Sequence, residues 1–311
     1  MMEKGIFFQG KNLLDLSIII VNYNTRIHLR NCLNSIVENT KGVDYEIILV
    51  DNASSDGSVA MLQQEFPFVR VIENTQNLGF AKANNLGIRV SQGEYILLLN
   101  SDTIVLDGCL PKVFRFAKEN KDAGIIGCKV LNPDKTLQFS CYRQPNIFTE
   151  LCFFTKTIIK DFWDPIGYFK YMKYWDHNQI RKVDCVSGCF FWLKRELIEQ
   201  VGLLDETFFM YYEDSEFCRR VRLNSNYKIY YYPEAKIIHL KGKSSEFNNL
   251  ETLKYCYKSA TYYLQKCFGE KIKKIFSNIC NLIWELELII FLALRFNTKC
   301  KKKATMLKSL L

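Results

Sequence analysis

The sequence predicts an α/β fold, a mostly parallel sheet covered by helices on both faces. Three observations carry that prediction. Short apolar runs, the first of them β-branched, alternate with segments of helical spacing through the first third of the chain. Three of the runs end in polar clusters, Asn22-Tyr23-Asn24, Asp51-Asn52-Ala53-Ser54 and Asn100-Ser101-Asp102. The chain has 311 residues, 48% hydrophobic and 24% charged, which is ample for a large core or two fused domains and unlike a disordered composition.

Leu16–Val21 reads as a buried strand, and the leucine and isoleucine spacing of Arg26–Glu38 as a helix. Tyr45–Val50, Val69–Glu73 and Tyr95–Leu99 are further strands, with helices at Gly57–Phe66 and Ala81–Val90 between them. The second half is less regular. Gly124–Leu131 and Val183–Leu193 are strand-like, and Arg195–Val201 is a short helix. Tyr211–Leu223 is a helix opened by acidic residues, which suit its positive end. Lys228–Tyr232 and Lys236–Leu240 read as two short strands, while the aromatic-rich stretch Phe139–Tyr174 has no clear period. Leu250–Phe268 and Ile275–Phe296 are helices, the second with Ile275, Ile279, Leu282, Leu286, Ile289 and Ala293 on one side.

The net charge is +9, with Lys271, Lys273, Lys274, Arg295, Lys299, Lys301, Lys302, Lys303 and Lys308 near the C-terminus. A basic tail beside an apolar helix points to a lipid surface ahead of nucleic acid, which is not expected as a partner. Glu285, Glu287 and two asparagines argue against a membrane span and for a helix lying in the interface; a contact with the domain or a homodimer is the alternative. The 12 cysteines form no CxxC pair and no Cys/His cluster of zinc-finger spacing, and a secretory leader is not expected, since the first apolar run reads as a short strand. Free thiols in a reducing cytoplasm are the expectation.

The polar clusters sit at strand carboxyl ends, where open α/β sheets bind ligands. Neither a GxGxxG after the first strand nor a GxxxxGK[ST] is present, so the phosphate cradles of dinucleotide oxidoreductases and P-loop NTPases are missing. Asp51 can accept a hydrogen bond from the imide N–H of uracil or thymine, and the segment Ser54-Ser55-Asp56 can equally cap a helix. Gly79 permits an unusual backbone angle or a close approach before a helix N-terminus that favours anions; a plain turn is the other reading. Asp102 can hold a hard divalent cation bridging two phosphate oxygens, with His239 as a candidate further ligand or a structural histidine. Of Glu213 and Asp214, one can face a cleft and take a proton from an attacking hydroxyl while the other pairs or caps.

These segments, with Val186-Ser187-Gly188-Cys189-Phe190, Phe209-Met210-Tyr211-Tyr212-Glu213-Asp214, and His239 with Gly242 and Ser244, resemble the inverting family 2 glycosyltransferases with the GT-A fold, and within it rhamnosyltransferase-like enzymes of polysaccharide assembly. The resemblance spans about residues 16–245. It implies a GT-A-type, mostly parallel twisted sheet flanked by helices, with a C-terminal helical extension. Residues 1–245 would form the transferase domain, with 16–102 its nucleotide-binding half and 103–245 its acceptor half; residues 246–311 would be the extension. Asn22, Asn24, Asp51, Gly79, Ala81, Asn84 and Ser101 would border the donor, a dTDP- or UDP-sugar. Asp102 and His239 would hold Mg²⁺ or Mn²⁺. Asp214 would be the catalytic base, Glu213 would help place a substrate, and Ser187 and Gly188 would lie on the acceptor side. The acceptor would be a glycan or a lipid-linked oligosaccharide at the inner face of the cell membrane. Two departures stand out: the family's DxD reads Asn-Ser-Asp, and the acidic residue after the Glu-Asp pair is Glu216 rather than aspartate. A sugar-phosphate nucleotidyltransferase would need a basic Gly-rich loop where Asn22-Tyr23-Asn24 stands. A non-catalytic relative would be expected to lose Asp102, Asp214 or His239, and all three are present.

Overall fold

The computed structural model describes residues 14–155, 165–240 and 250–293. Its first half is β1 (Leu16–Asn22), α1 (Arg26–Asn39), β2 (Tyr45–Asp51), α2 (Ser58–Glu65), β3 (Arg70–Glu73), α3 (Phe80–Val90) and β4 (Tyr95–Asn100). The second half opens with β5 (Thr103–Val105), α4 (Cys109–Glu119), β6 (Ala123–Leu131), β7 (Leu137–Gln138), β8 (Cys141–Tyr142), α5 (Ile147–Thr155) and α6 (Pro165–Lys170). It continues through β9 (Arg181–Lys182), β10 (Cys185–Val186), β11 (Phe190–Lys194), α7 (Arg195–Val201), α8 (Glu213–Asn224) and β12 (Lys228–His239), and ends with α9 (Leu250–Phe268) and α10 (Glu270–Ala293).

The main sheet runs β3-β2-β1-β4-β11-β6-β12-β5. Its first four strands are parallel, as the alternation of strands and helices requires. β11 enters antiparallel between β4 and β6, β12 is parallel to β6, and β5 lies antiparallel on β12. The side-chain period of two divides β1 between two cores. Leu16, Ile18 and Ile20 pack with α1, α2 and α4 on one face, while Ile19 packs with α3, α7, α8, α9 and α10 on the other. Residues of α9 and α10 such as Tyr263, Phe276 and Trp284 are fully buried in that second core, so the C-terminal helices are part of the packed body.

Three expected elements take a different form. Val183–Leu193 is interrupted at Ser187-Gly188-Cys189, which turns the chain from the small β8–β10 ladder into the main sheet. Lys228–Tyr232 and Lys236–Leu240 join into the single strand β12, because the break at Pro233 becomes a bulge: the register on β6 shifts between Tyr232 and Lys236. In α10 the packed face is Phe276, Cys280 and Trp284, whereas Ile275, Leu282, Leu286 and Ile289 are exposed. That helix is apolar on two sides, and the side picked out by its sequence spacing is the outer one. The predicted end of this helix at Phe296, the basic residues from Arg295 onward, and Gly242 and Ser244 lie outside the described residues.

Candidate active site

The carboxyl ends of β1, β2 and β4 meet the N-terminus of α8 and the end of β12 around a cavity of about 370 Å³. Asn52, Gly79, Ser101, Asp102 and His239 line one side, and Ser187, Gly188, Glu213 and Asp214 another. The register of the sheet explains the meeting of distant residues. Asn22 pairs with Asp51 across β1 and β2, so Asn22 Nδ2 donates to Asp51 Oδ1 at 2.9 Å. Thr103 pairs with His239 across β5 and β12, which sets His239 beside Asp102.

Asp102 is buried, with 1% of its surface exposed, and neither carboxylate oxygen has a hydrogen-bond partner. His239 Nε2 stands 3.3 Å from its Oδ1. A buried carboxylate without donors is costly unless something else supplies positive charge. That orphaned pair fits a hard divalent cation whose remaining ligands come from a phosphate-bearing substrate and water. Among the described residues no group of three or more His, Cys, Asp or Glu side chains is placed to hold a metal ion, so a cation here depends on such outside ligands.

Glu213 and Asp214 open α8 after two residues in the left-handed region, Tyr211 and Tyr212, with φ of 71° and 68°. This strained entry turns both carboxylates toward the cavity. Asp214 Oδ2 accepts from the Gly188 N–H at 3.0 Å, and Oδ1 from the Ser215 N–H at 2.6 Å. Burial raises Asp214 above the ordinary carboxylate range, and the donors Tyr142, Gly188 and Ser215 oppose that rise. Glu213 has no such support. Its Oε2 is unpartnered, and burial followed by the charge of Asp214 pushes its carboxyl up to about 8. Both carboxyls are thus raised by burial, and the one with donor support is Asp214.

Asn22, Asn24 and Asp51 are brought together behind the cavity wall. Asn22 Nδ2 also donates to Ser54 Oγ at 2.9 Å, and Asp51 Oδ2 accepts from the Ser54 N–H at 2.8 Å. Asn24 sits at φ 55° and its Oδ1 accepts from the Ser55 N–H at 2.8 Å. Each Asp51 oxygen thus takes one bond from the fold and keeps a lone pair. Asp56 performs the capping task, accepting from the Arg26 N–H at 2.7 Å and from the Ser58 N–H at 3.0 Å. Ser101 is tied to Thr25 at 2.8 Å. Ala81 and Asn84 are buried in α3 and do not line the cavity; Asn84 Nδ2 donates to the Phe80 carbonyl. Gly79 combines a φ of 80° with a close approach, and its neighbour is the chain itself, since a Cβ there would collide with the Phe209 carbonyl. That carbonyl also accepts the Phe80 N–H at 2.6 Å, so one of the free N–H groups at the start of α3 is already used.

Sequence reasoning missed the far wall, formed by Phe139, Tyr142, Pro145, Phe153, Lys170 and Tyr171. Its signal was the density of aromatic residues in Phe139–Tyr174. Lys170 is buried there in a pair with Glu150 at 2.7 Å, and Tyr212 donates to the same carboxylate. Glu216 turns out to be structural. Its oxygens bind Arg220 at 2.8 Å and Lys266 at 2.8 Å, tying α8 to α9, so its replacement of aspartate does not touch the cavity.

Comparison with known proteins decides the family on this geometry. Residues 17–202 match the family described as glycosyl transferase family 2. The chain is a member of family 2. A low-salt glycan biosynthesis hexosyltransferase, Agl10, of Haloferax volcanii is 30% identical over 213 residues, 67% of this chain and 62% of that protein. An N-acetylglucosaminyl-diphospho-decaprenol L-rhamnosyltransferase of Mycobacterium tuberculosis is 25% identical, covering 80% of this chain and 83% of that one. The chain spans 62%, 19% and 40% of the length of three of the curated relatives it matches, so it corresponds to part of each. The solved structure of residues 1–349 of S. aureus TarS aligns over 92% of this chain and 76% of its own, with a TM-score of 0.53 at 14% identity, a likeness of fold. The GT-A architecture of the family 2 glycosyltransferases is thus the architecture of this chain.

Proposed function

We propose that this family 2 glycosyltransferase moves a sugar from a nucleoside diphosphate donor to a hydroxyl of a glycan or lipid-linked oligosaccharide, with inversion at the anomeric carbon. One observation carries the reading: an unpartnered buried carboxylate beside a histidine and a donor-supported carboxylate face the same cavity. In the proposed reaction Asp214 accepts the proton of the acceptor hydroxyl, whose oxygen forms a bond to the anomeric carbon as the bond to the diphosphate breaks. A single displacement of this kind leaves the sugar inverted. Glu213, carrying a proton, donates a hydrogen bond to donor or acceptor. Asp102 and His239 would hold Mg²⁺ or Mn²⁺, which when bound offsets the negative charge on the leaving diphosphate. Asp51, with Asn22 and Asn24, is assigned to the base side, where its remaining lone pairs suit uracil or thymine. Gly79 and Ser101, which line the cavity, are assigned to the nucleotide-sugar side, with Ala81 and Asn84 packed behind them in α3, and Ser187 and Gly188 to the acceptor side.

A TarS structure has been solved in complex with UDP, which supports a uridine donor, and the rhamnosyltransferase relative's name supports rhamnose as the sugar. That relative's name also supports an isoprenoid diphosphate-linked acceptor. We place the reaction at the inner face of the cell membrane, with α10 on the lipid. No helix among the described residues is long and apolar enough to cross a membrane, but α10 exposes Ile275, Leu282, Leu286 and Ile289 beside the exposed lysines 271 and 274.

A donor screen tests the proposal. Protein with Mn²⁺ is offered UDP- and dTDP-sugars together with lipid-linked acceptors, and release of nucleoside diphosphate is followed. Release from one donor that stops with EDTA and in Asp102→Ala is the expected result. No release from any donor would return the chain to the class of non-catalytic, carbohydrate-binding relatives.

A further inference from the structure

His239 is presented to Asp102 by a side chain in the hairpin strand β7. Gln138 Oε1 lies 2.7 Å from His239 Nδ1. The other end of the same amide donates to the backbone carbonyl of His239 at 3.2 Å and to Asn132 Oδ1 at 2.8 Å. A carbonyl oxygen only accepts, so the NH₂ end of Gln138 must face it. Asn132 is oriented in the same way, because its Nδ2 donates to Thr136 Oγ1 at 2.9 Å and to the Leu137 carbonyl at 3.4 Å, leaving Oδ1 for Gln138. With both amides fixed, Gln138 Oε1 is an acceptor and the hydrogen it accepts is on Nδ1. The neutral imidazole then carries its lone pair on Nε2. That nitrogen stands 3.3 Å from Asp102 Oδ1 and 3.3 Å from Asn100 Nδ2.

Asn100 Nδ2 is placed to donate to that lone pair, while the Asp102 carboxylate beside it has no donor; a divalent cation bound between ring and carboxylate would satisfy both. We propose that Gln138 is a positioning residue for the cation site, locking His239 in the Nδ1–H tautomer so that Nε2 and the Asp102 carboxylate are presented together as ligands. The proposal rests on the reading of Asp102 and His239 as cation ligands given above. Metal-bound histidines are commonly held through their second nitrogen by an acceptor of this kind, and loss of such an acceptor lowers metal affinity by about 10–100-fold. The register of the β6–β7 hairpin, Val130 opposite Gln138, delivers the amide to the end of β12. A neutral amide in this role leaves the site's negative charge to Asp102 and the substrate diphosphate. The bond from Gln138 to the His239 carbonyl also makes the histidine's own backbone part of the lock.

The test uses two variants of the full chain, Gln138→Leu, which removes the acceptor, and Gln138→Glu, which keeps one. The tautomer of His239 is read by ¹⁵N NMR, its signals assigned by their loss in His239→Gln. Binding of Mn²⁺ is read by electron paramagnetic resonance, with and without UDP. The expected result is Nδ1–H in the wild type and in Gln138→Glu, with Mn²⁺ affinity retained in the latter. Gln138→Leu is expected to move the hydrogen to Nε2 and to weaken Mn²⁺ about 10–100-fold. A wild-type His239 with its hydrogen on Nε2 overturns the proposal without recourse to any variant. Mn²⁺ binding that is indifferent to Gln138→Leu overturns the proposal alone. Wild-type protein that binds no Mn²⁺, with or without UDP, overturns the cation site and the proposal with it.

Discussion

Glu213 and Asp214 are adjacent in sequence and opposite in surroundings. Asp214 is held by the N–H groups of Gly188 and Ser215, while Glu213 is 5% exposed with a free Oε2. A carboxyl raised from 4.5 to about 8 binds more protons folded than unfolded, so its contribution to stability is fully present below its unfolded value and is lost as pH rises through the folded one. Glu213→Gln should therefore remove part of a fall in stability between about pH 5 and 8, worth about 1 kcal/mol per pH unit. Urea midpoints of wild type and variant across that range check it; parallel curves would show that Glu213 ionises freely. At this scale the sequence was informative where polar residues close a strand or open a helix, since Asp102, His239 and Asp214 all reach the cavity. It was silent on Gln138, Tyr142 and Lys170, whose places depend on a segment with no period and on hydrogen bonds across more than 100 residues, such as Gln138 to His239.

The turn at Gly79 joins the two halves of the site. Phe209 lies over the start of α3, and its carbonyl takes the Phe80 N–H. Gly79→Ala would place a Cβ against that carbonyl at a φ of 80°, a conformation that penalises any side chain. The variant should lose about 2 kcal/mol of stability, and the displaced Phe209–Tyr212 segment should carry Glu213 and Asp214 out of place. Thermal unfolding and turnover measured together check this, and a stable variant with normal turnover would contradict it. The parallel strands of the first half were legible to within a residue or two, because each is a short apolar run with a polar end. The second half was not, because tertiary pairing rewrites it: β12 passes through Pro233 as a bulge, and the strand-like Val183–Leu193 breaks at Ser187–Cys189 to change sheets.

For the whole molecule, the charge and the two-faced α10 set how it meets its surroundings. One face of the helix is packed through Phe276 and Trp284; the other leaves Ile275, Leu282, Leu286 and Ile289 in solvent. The full chain should sediment with vesicles containing anionic lipid, less so with neutral ones or at high salt. The double variant Leu282→Glu, Leu286→Glu should lose that binding with little change in stability, because neither side chain belongs to the core. Binding unaffected by these changes, or a dimer lost with them, would assign the stripe to a second copy of the chain instead.

The proposed role of Asp214 as the base of a direct displacement is read from sugar transfer by Asp214→Asn, with donor binding measured alongside. An amide keeps the shape and can still accept from the Gly188 N–H, but it cannot take a proton. Donor affinity within a few-fold of wild type and transfer slower by about 10²–10⁴-fold are the expected results. Transfer at a near-normal rate would contradict that role and move the base elsewhere in the cavity.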